Sequence, residues 1–120
     1  MIFRNLSLLS LVFAGLLLSF GMRTSATAAE QAYLEQAISE ANEAIQAGKA
    51  QEPGSLIEHI DQSYDRARSA VWQNPTDHIR QGIKLLRKAS KVAKGTNSPA
   101  RMAKAVGYVE GARTHFEAAR

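Results

Sequence analysis

Four stretches of the chain repeat apolar residues with the period of an α-helix, and this pattern restricts the fold more than any other feature. Alternation of β-branched and polar residues, which is typical of a half-buried strand, hardly occurs after residue 30. An amphipathic helix must bury its apolar face against another element. The pattern predicts an all-α domain. The turns are too short to cross a bundle, so we expect an up-down-up-down four-helix bundle.

The first two predicted helices are separated by a break rich in helix-terminating residues. The first runs from about Glu30 to Ala47, and Gly48 is placed to end it. The second follows Glu52-Pro53-Gly54, and Ser55 and Glu58 have the S-x-x-E spacing of a capping box. The apolar faces are Leu34, Ala37, Ile38, Ala41 and Ile45 in the first helix, and Leu56, Ile57, Ile60, Tyr64, Ala67 and Val71 in the second.

The third and fourth predicted helices have equally clear ends. The third begins after Asn74-Pro75-Thr76-Asp77 and stops at Gly95, and the fourth has Ser98 as its cap with Pro99 at the first helical position. The apolar faces are Ile79, Ile83, Leu86, Ala89, Ser90 and Ala93 in the third helix, and Met102, Ala105, Val106, Val109, Ala112 and Phe116 in the fourth.

The two halves of this region resemble each other. A shift of 45 residues aligns Leu34 with Ile79, Ile38 with Ile83, Tyr64 with Val109, Arg68 with Arg113 and Val71 with Phe116. The loop positions also match, which favours a duplicated helical hairpin. The alternative is that amphipathic helices align on their period alone.

The start of the chain has the features of a secretory signal peptide. Arg4 precedes an apolar run from Leu6 to Phe20, and Ala26-Thr27-Ala28 forms an A-x-A cleavage site. We expect a periplasmic or secreted protein. The alternative is an uncleaved membrane anchor, although this run is shorter than the roughly 20 residues that span a bilayer.

Cleavage at this site divides the chain into a signal peptide, residues 1–28, and a four-helix bundle domain, residues 29–120. Cleavage before Glu30 is a slightly poorer alternative. After either cleavage, no stable membrane span is expected.

The sequence carries no pattern that indicates catalysis. It has no Cys, which excludes disulfides, thiolate metal sites and thiol nucleophiles. The H-E-x-x-H, P-loop and G-x-G-x-x-G motifs are absent, and so are the paired Glu-x-x-His motifs of di-iron bundles. We therefore predict that the protein is not an enzyme.

Charge is distributed unevenly between the two halves. Nine acidic and three basic residues lie from Glu30 to Asp77, whereas ten basic and two acidic residues lie from Ile79 to Arg120. The halves could neutralise each other within the bundle or across a homodimer, or they could attract an anionic partner. Neutralisation of one half by the other is favoured over an anionic partner. A nucleic-acid partner is not expected, because the basic half lacks interleaved aromatic residues for base stacking.

Five basic residues follow one flank of the third helix and form the basic stripe, namely Arg80, Lys84, Arg87, Lys91 and Lys94. Like charges at this spacing destabilise a helix, so we expect negative charge beside them. The favoured candidate is the acidic run Glu58, Asp61 and Asp65 of the second helix. The alternative is an anionic surface or protein partner in the cell envelope.

Three histidines are the candidate metal ligands. In an antiparallel bundle His78 and His115 fall at the same end, where Asp77, Glu117 and Glu35 also lie, and His59 is at the opposite end with Glu58 nearby. Imidazole and carboxylate suit copper, nickel or zinc. The predicted metal ligands are His78, His115, Asp77 and His59. The alternative is that all three histidines are ordinary solvated side chains.

Three segments, Tyr33 to Ile38, Leu56 to His59 and Thr76 to Lys84, together with the hairpin duplication, resemble the small metal-binding protein family. That family consists of exported four-helix bundles with His at nearly every helical turn. The resemblance places His59 and His78 where the family has His. Other residues stand at further family His positions, namely Tyr33, Glu40, Ala47 and Leu86 or its neighbour Leu85.

The resemblance implies an exported bundle that binds or buffers a divalent metal ion, copper, nickel or zinc, at few sites. The alternative function is a structural or interaction bundle without metal. Such a bundle would use the basic face of the third helix to bind a protein or envelope partner.

Overall fold

The computed structural model describes residues 31–120, and these residues form four α-helices joined by short turns. Helix α1 covers residues 31–49, α2 Pro53–Gln73, α3 Asp77–Ala93 and α4 Pro99–Ala118. No strand occurs in residues 31–120. The predicted all-α class is therefore confirmed. The signal peptide, its cleavage site and the domain boundary lie outside the described residues and stay predictions.

The helices form a closed antiparallel bundle, because each contacts its sequence neighbours and α4 returns to α1. Later residues of α1 contact earlier residues of both α2 and α4, as an up-down-up-down arrangement requires. The cross-helix pairs are Ala37 with Ser63 and Glu40 with His59 (α1 and α2), Tyr64 with Arg87 (α2 and α3), His78 with His115 (α3 and α4), and Glu35 with Arg120 and Asn42 with Arg113 (α1 and α4). None of the helices in 31–120 is long and apolar enough to cross a membrane.

The core lies along the bundle axis and contains many alanines. Every residue predicted for the apolar faces of α1 and α4 is buried, and Phe116 is the largest of the fully buried side chains. The alanines with no solvent exposure are Ala37, Ala41, Ala44, Ala67, Ala89, Ala105 and Ala112. Small side chains at these positions let helix backbones approach closely.

Helix α2 begins earlier than the sequence analysis predicted. Pro53 occupies the first turn, where its fixed φ suits a helix start, and Glu52 is the N-cap without a side-chain hydrogen bond. The predicted capping box of Ser55 and Glu58 is wrong, because both residues lie inside the helix.

The buried face of α2 is also rotated from the predicted one. Ser63 and Ala70 are buried, whereas Ile57, Tyr64 and Val71 are only half-buried. Ser63 can occupy the core because its hydroxyl donates a 2.7 Å hydrogen bond to the Ala37 carbonyl oxygen of α1. This bond satisfies a buried polar group that would otherwise be costly.

The end of α1 differs from the predicted one, whereas the end of α3 and the start of α4 agree with the prediction. Gly48 does not end α1. Instead it packs against Val106 of α4, and the left-handed turn residue after α1 is Gln51 with φ 60°. Gly95 follows the end of α3 with φ 68°, as predicted. The predicted start of α4 is confirmed, since the Ser98 hydroxyl accepts the Arg101 backbone N–H.

Candidate metal centre

His78 and His115 meet at one end of the bundle, where α3 begins and α4 ends. The Thr76 side chain caps α3 by accepting the Ile79 backbone N–H, which places His78 in the first turn. His115 lies in the last turn of α4. The two Nδ1 atoms are 3.1 Å apart, and the ring centroids are separated by 5.4 Å. The expectation that these imidazoles share a bundle end is confirmed.

The distance between these Nδ1 atoms fits two ligands of one metal ion. Bonds of about 2.0–2.1 Å to imidazole nitrogen, at angles between square-planar and tetrahedral, separate two nitrogens by about 2.8–3.4 Å. The observed 3.1 Å falls within this interval. Without a metal ion, the same distance suits a hydrogen bond in which one Nδ1–H donates to the other Nδ1. His78 is exposed and His115 half-buried, so solvent reaches the pair.

The carboxylates at this end of the bundle face arginines and do not complete the predicted ligand set. Asp77 accepts a 3.3 Å hydrogen bond from Arg80, and its side chain is 95% exposed. Within residues 31–120, no three His, Asp or Glu side chains form a group that could hold a metal ion. The structure thus joins His78 to His115 but does not bring Asp77 into a three-ligand cluster.

The other two carboxylates expected near the pair are engaged with arginines in α4 or just after it. Both carboxylate oxygens of Glu35 accept hydrogen bonds of 3.0 Å from Arg120 Nη1. This hydrogen bond and the charge of Glu35 raise the pKa of the Arg120 guanidinium above its ordinary value. Glu117 Oε1 lies 3.9 Å from Arg113 Nε. The Glu35–Arg120 contact ties α1 to the segment just after α4, whereas the Arg113–Glu117 contact lies within α4.

The third histidine, His59, occupies a separate environment between α1 and α2. Its Nδ1 lies 2.7 Å from Glu40 Oε2, and the two side chains are 25% and 27% exposed. The Gln62 amide, with its nitrogen turned towards the carboxylate, donates to the same Glu40 oxygen at 2.8 Å. This cluster was not predicted from the sequence, in which Glu58 is the carboxylate next to His59. The residue that His59 contacts is Glu40, on the neighbouring helix.

The basic stripe of α3 is exposed to solvent. All five of its residues are exposed, and Arg80 pairs with Asp77 of its own helix. Arg87 donates from Nε and Nη2 to the Tyr64 hydroxyl oxygen at 3.2 and 3.0 Å. Across the described helices, no ion pair joins the stripe to the acidic run of α2. The favoured prediction that this run lies beside the stripe holds for Asp61, which lines a groove together with Arg87 and Lys91, but the opposite charges form no direct ion pair there.

The described part of the chain is thus a small four-helix bundle that brings two solvent-accessible imidazoles together at one end. Comparison of the sequence with protein-family models agrees. The small metal-binding protein family matches residues 6–119, and the chain belongs to that family. No curated protein matches the sequence.

Proposed function

We propose that the protein binds a divalent transition metal ion at a surface site formed by His78 and His115. The observation that carries this proposal is the 3.1 Å distance between the two Nδ1 atoms. A bound ion would leave its remaining positions to water, or to Asp77, whose exposed pair with Arg80 contributes little to stability. Copper, nickel and zinc all accept imidazole nitrogen.

The proposed role is binding or buffering of metal at few sites, without catalysis. His59 is already bound to Glu40, so one imidazole pair remains for a metal ion among the described residues. Export to the periplasm or secretion fits the apolar leader, and the match to the family begins at residue 6 within that leader.

Calorimetric titration with copper, nickel and zinc at pH 7.5 tests the proposal. The parent protein should bind one ion at its strongest site, and substitution of both His78 and His115 by alanine should abolish that site. The matched control is His59→Ala, which removes an imidazole elsewhere in the bundle and should leave the site intact. Absence of binding heat in the parent, or unchanged binding in the double variant, would refute the proposal.

A second candidate function is binding of an anionic envelope partner through the basic stripe. The exposure of this stripe, and its lack of ion pairs with α2 among the described residues, favour that candidate. Sedimentation with vesicles containing phosphatidylglycerol is the test. Lys84→Glu combined with Lys91→Glu should abolish co-sedimentation and leave metal binding unchanged. A parent protein that does not sediment with these vesicles contradicts an anionic lipid partner.

A further inference from the structure

A groove between α2 and α3 is a second candidate binding site, and it lies away from the histidine pair. Its volume is about 240 Å³. Ile60 and Leu86 lie at its floor, only 1% and 0% exposed, and the side chains around them supply the surface that is open to solvent. The residues of this rim are Asp61 and Tyr64 from α2, and Arg87, Ser90 and Lys91 from α3. Such a mixture of apolar floor and polar rim is typical of small-molecule sites.

One side of the rim presents hydrogen-bond donors suited to a carboxylate. The Tyr64 oxygen accepts two hydrogen bonds from Arg87, so the Tyr64 O–H and the remaining guanidinium N–H groups are available to donate. Lys91 and Ser90 add an ammonium and a hydroxyl one turn further along α3. The guanidinium of Arg87 lies 5.6 Å from the Tyr64 ring centroid, and this contact holds the two side chains together.

The other side of the rim carries the opposite charge. Asp61 lines the groove from α2, and neither Arg87 nor Lys91 forms an ion pair with it among the described residues. A simple anion would satisfy the cations and be repelled by Asp61. A ligand with both charges would satisfy both sides, while its apolar part covers the floor.

We propose that this groove binds a small zwitterion of the α-amino-acid class with an apolar side chain. Its carboxylate lies towards Arg87 and Lys91, and its ammonium lies towards Asp61. The apolar side chain lies against the half-buried Tyr64 ring, above Ile60 and Leu86. The site is open to solvent, so each charge contact contributes modestly and the affinity is low.

Methyl NMR titration with three matched compounds tests which charges the groove recognises. Leucine has both charges, 4-methylpentanoate lacks the ammonium, and 3-methylbutylamine lacks the carboxylate. Leucine should shift the Ile60 and Leu86 methyl resonances saturably, and each singly charged analogue should bind about threefold more weakly. Equal binding of 4-methylpentanoate would overturn the zwitterion in favour of a simple anion. No saturable shift with leucine would overturn the site.

Variants locate the binding within the groove. Lys91→Gln should weaken leucine binding about threefold. Lys84→Gln is its matched control, because Lys84 lies two turns away on the same stripe but does not line the groove. Ser90→Leu should fill the groove and abolish the shifts while the helical circular dichroism is retained. Parent-like binding by Ser90→Leu would overturn the assignment.

Discussion

Gly82 of α3 packs directly against the ring of Phe116 of α4, so closely that a Cβ atom at Gly82 would collide with the ring. Gly82 lies one turn after His78, and Phe116 follows His115 in the sequence. The missing side chain therefore determines how near α3 and α4 approach beneath the two imidazoles. The geometry of the candidate metal site depends on a residue that could not itself bind metal.

Gly82→Ala should force α3 and α4 apart and weaken metal binding together with stability. Overpacking of this kind costs about 1–3 kcal/mol, measurable by urea denaturation followed by circular dichroism. Gly107→Ala is the matched control, because nothing beyond the adjacent residues and backbone of its own helix lies within 4 Å of the added methyl group. It should stabilise the helix by about 0.4–1 kcal/mol. A Gly82→Ala variant as stable as the parent would show that the helices can shift without cost.

Ser63→Ala should reduce the free energy of unfolding by about 0.5–1.5 kcal/mol, because it removes the hydrogen bond to the Ala37 carbonyl oxygen. Ser69→Ala is the control on the same helix, since its hydroxyl bonds only to the Asp65 carbonyl oxygen within α2. Equal losses in the two variants would mean that the α1–α2 bond makes no special contribution.

Ile83→Asp should unfold the domain. Ile83 is 9% exposed in the core, and an unpaired carboxylate there costs about 3 kcal/mol or more, a large share of the stability of a small domain. Lys84→Asp introduces the same side chain at the neighbouring exposed position and should keep the helical circular dichroism. If Ile83→Asp melted at the parent temperature, α3 could not face the core as described.

Glu40 and His59 should be coupled energetically but should not affect the metal site. A double-mutant cycle with Glu40→Ala and His59→Ala is expected to give a coupling of about 0.2–1 kcal/mol, because both side chains retain contact with water. Glu43→Ala provides an exposed carboxylate control on the same helix. Zero coupling at pH 6 would contradict an ion pair at this position.

Copper binding should be weaker in acid than at neutral pH, because only the neutral imidazole is a ligand and protons compete with the metal ion for its nitrogen. Trp72 provides the measurement, since it is the single tryptophan of the chain and lies 87% exposed in the last turn of α2, at the bundle end of His78. Copper should quench its fluorescence at pH 7.5 and not at pH 5. Equal quenching at both pH values would point to ligands other than histidine.

The fold could be predicted from the sequence because the helical spacing of apolar residues and the choice of turn residues depend on local sequence. The core positions of α4 and its Ser98-Pro99 start depend on neighbours within one or two turns, and both predictions are confirmed. The prediction that Gly48 ends α1 was wrong because the role of this residue is not local. Its small size serves a contact with Val106, which is 58 positions away and has no local signature.

The candidate site was only partly predictable for the same reason. Antiparallel topology sufficed to bring His78 and His115 to one end, but it does not determine where a carboxylate side chain turns. The contact of His59 with Glu40 could have been found from the α1–α2 register. In an antiparallel hairpin, paired residue numbers have a nearly constant sum, which also relates Ala37 to Ser63.

The uneven distribution of charge gives the bundle a negative side and a positive side. The acidic helices α1 and α2 are neighbours, and the basic α3 and α4 lie together on the other side. The bundle therefore has an electric dipole moment directed across its long axis. A negatively charged surface will orient such a molecule with its long axis parallel to the surface. Helices α3 and α4 then face the surface. The end that bears the histidine pair then stays open to the solution.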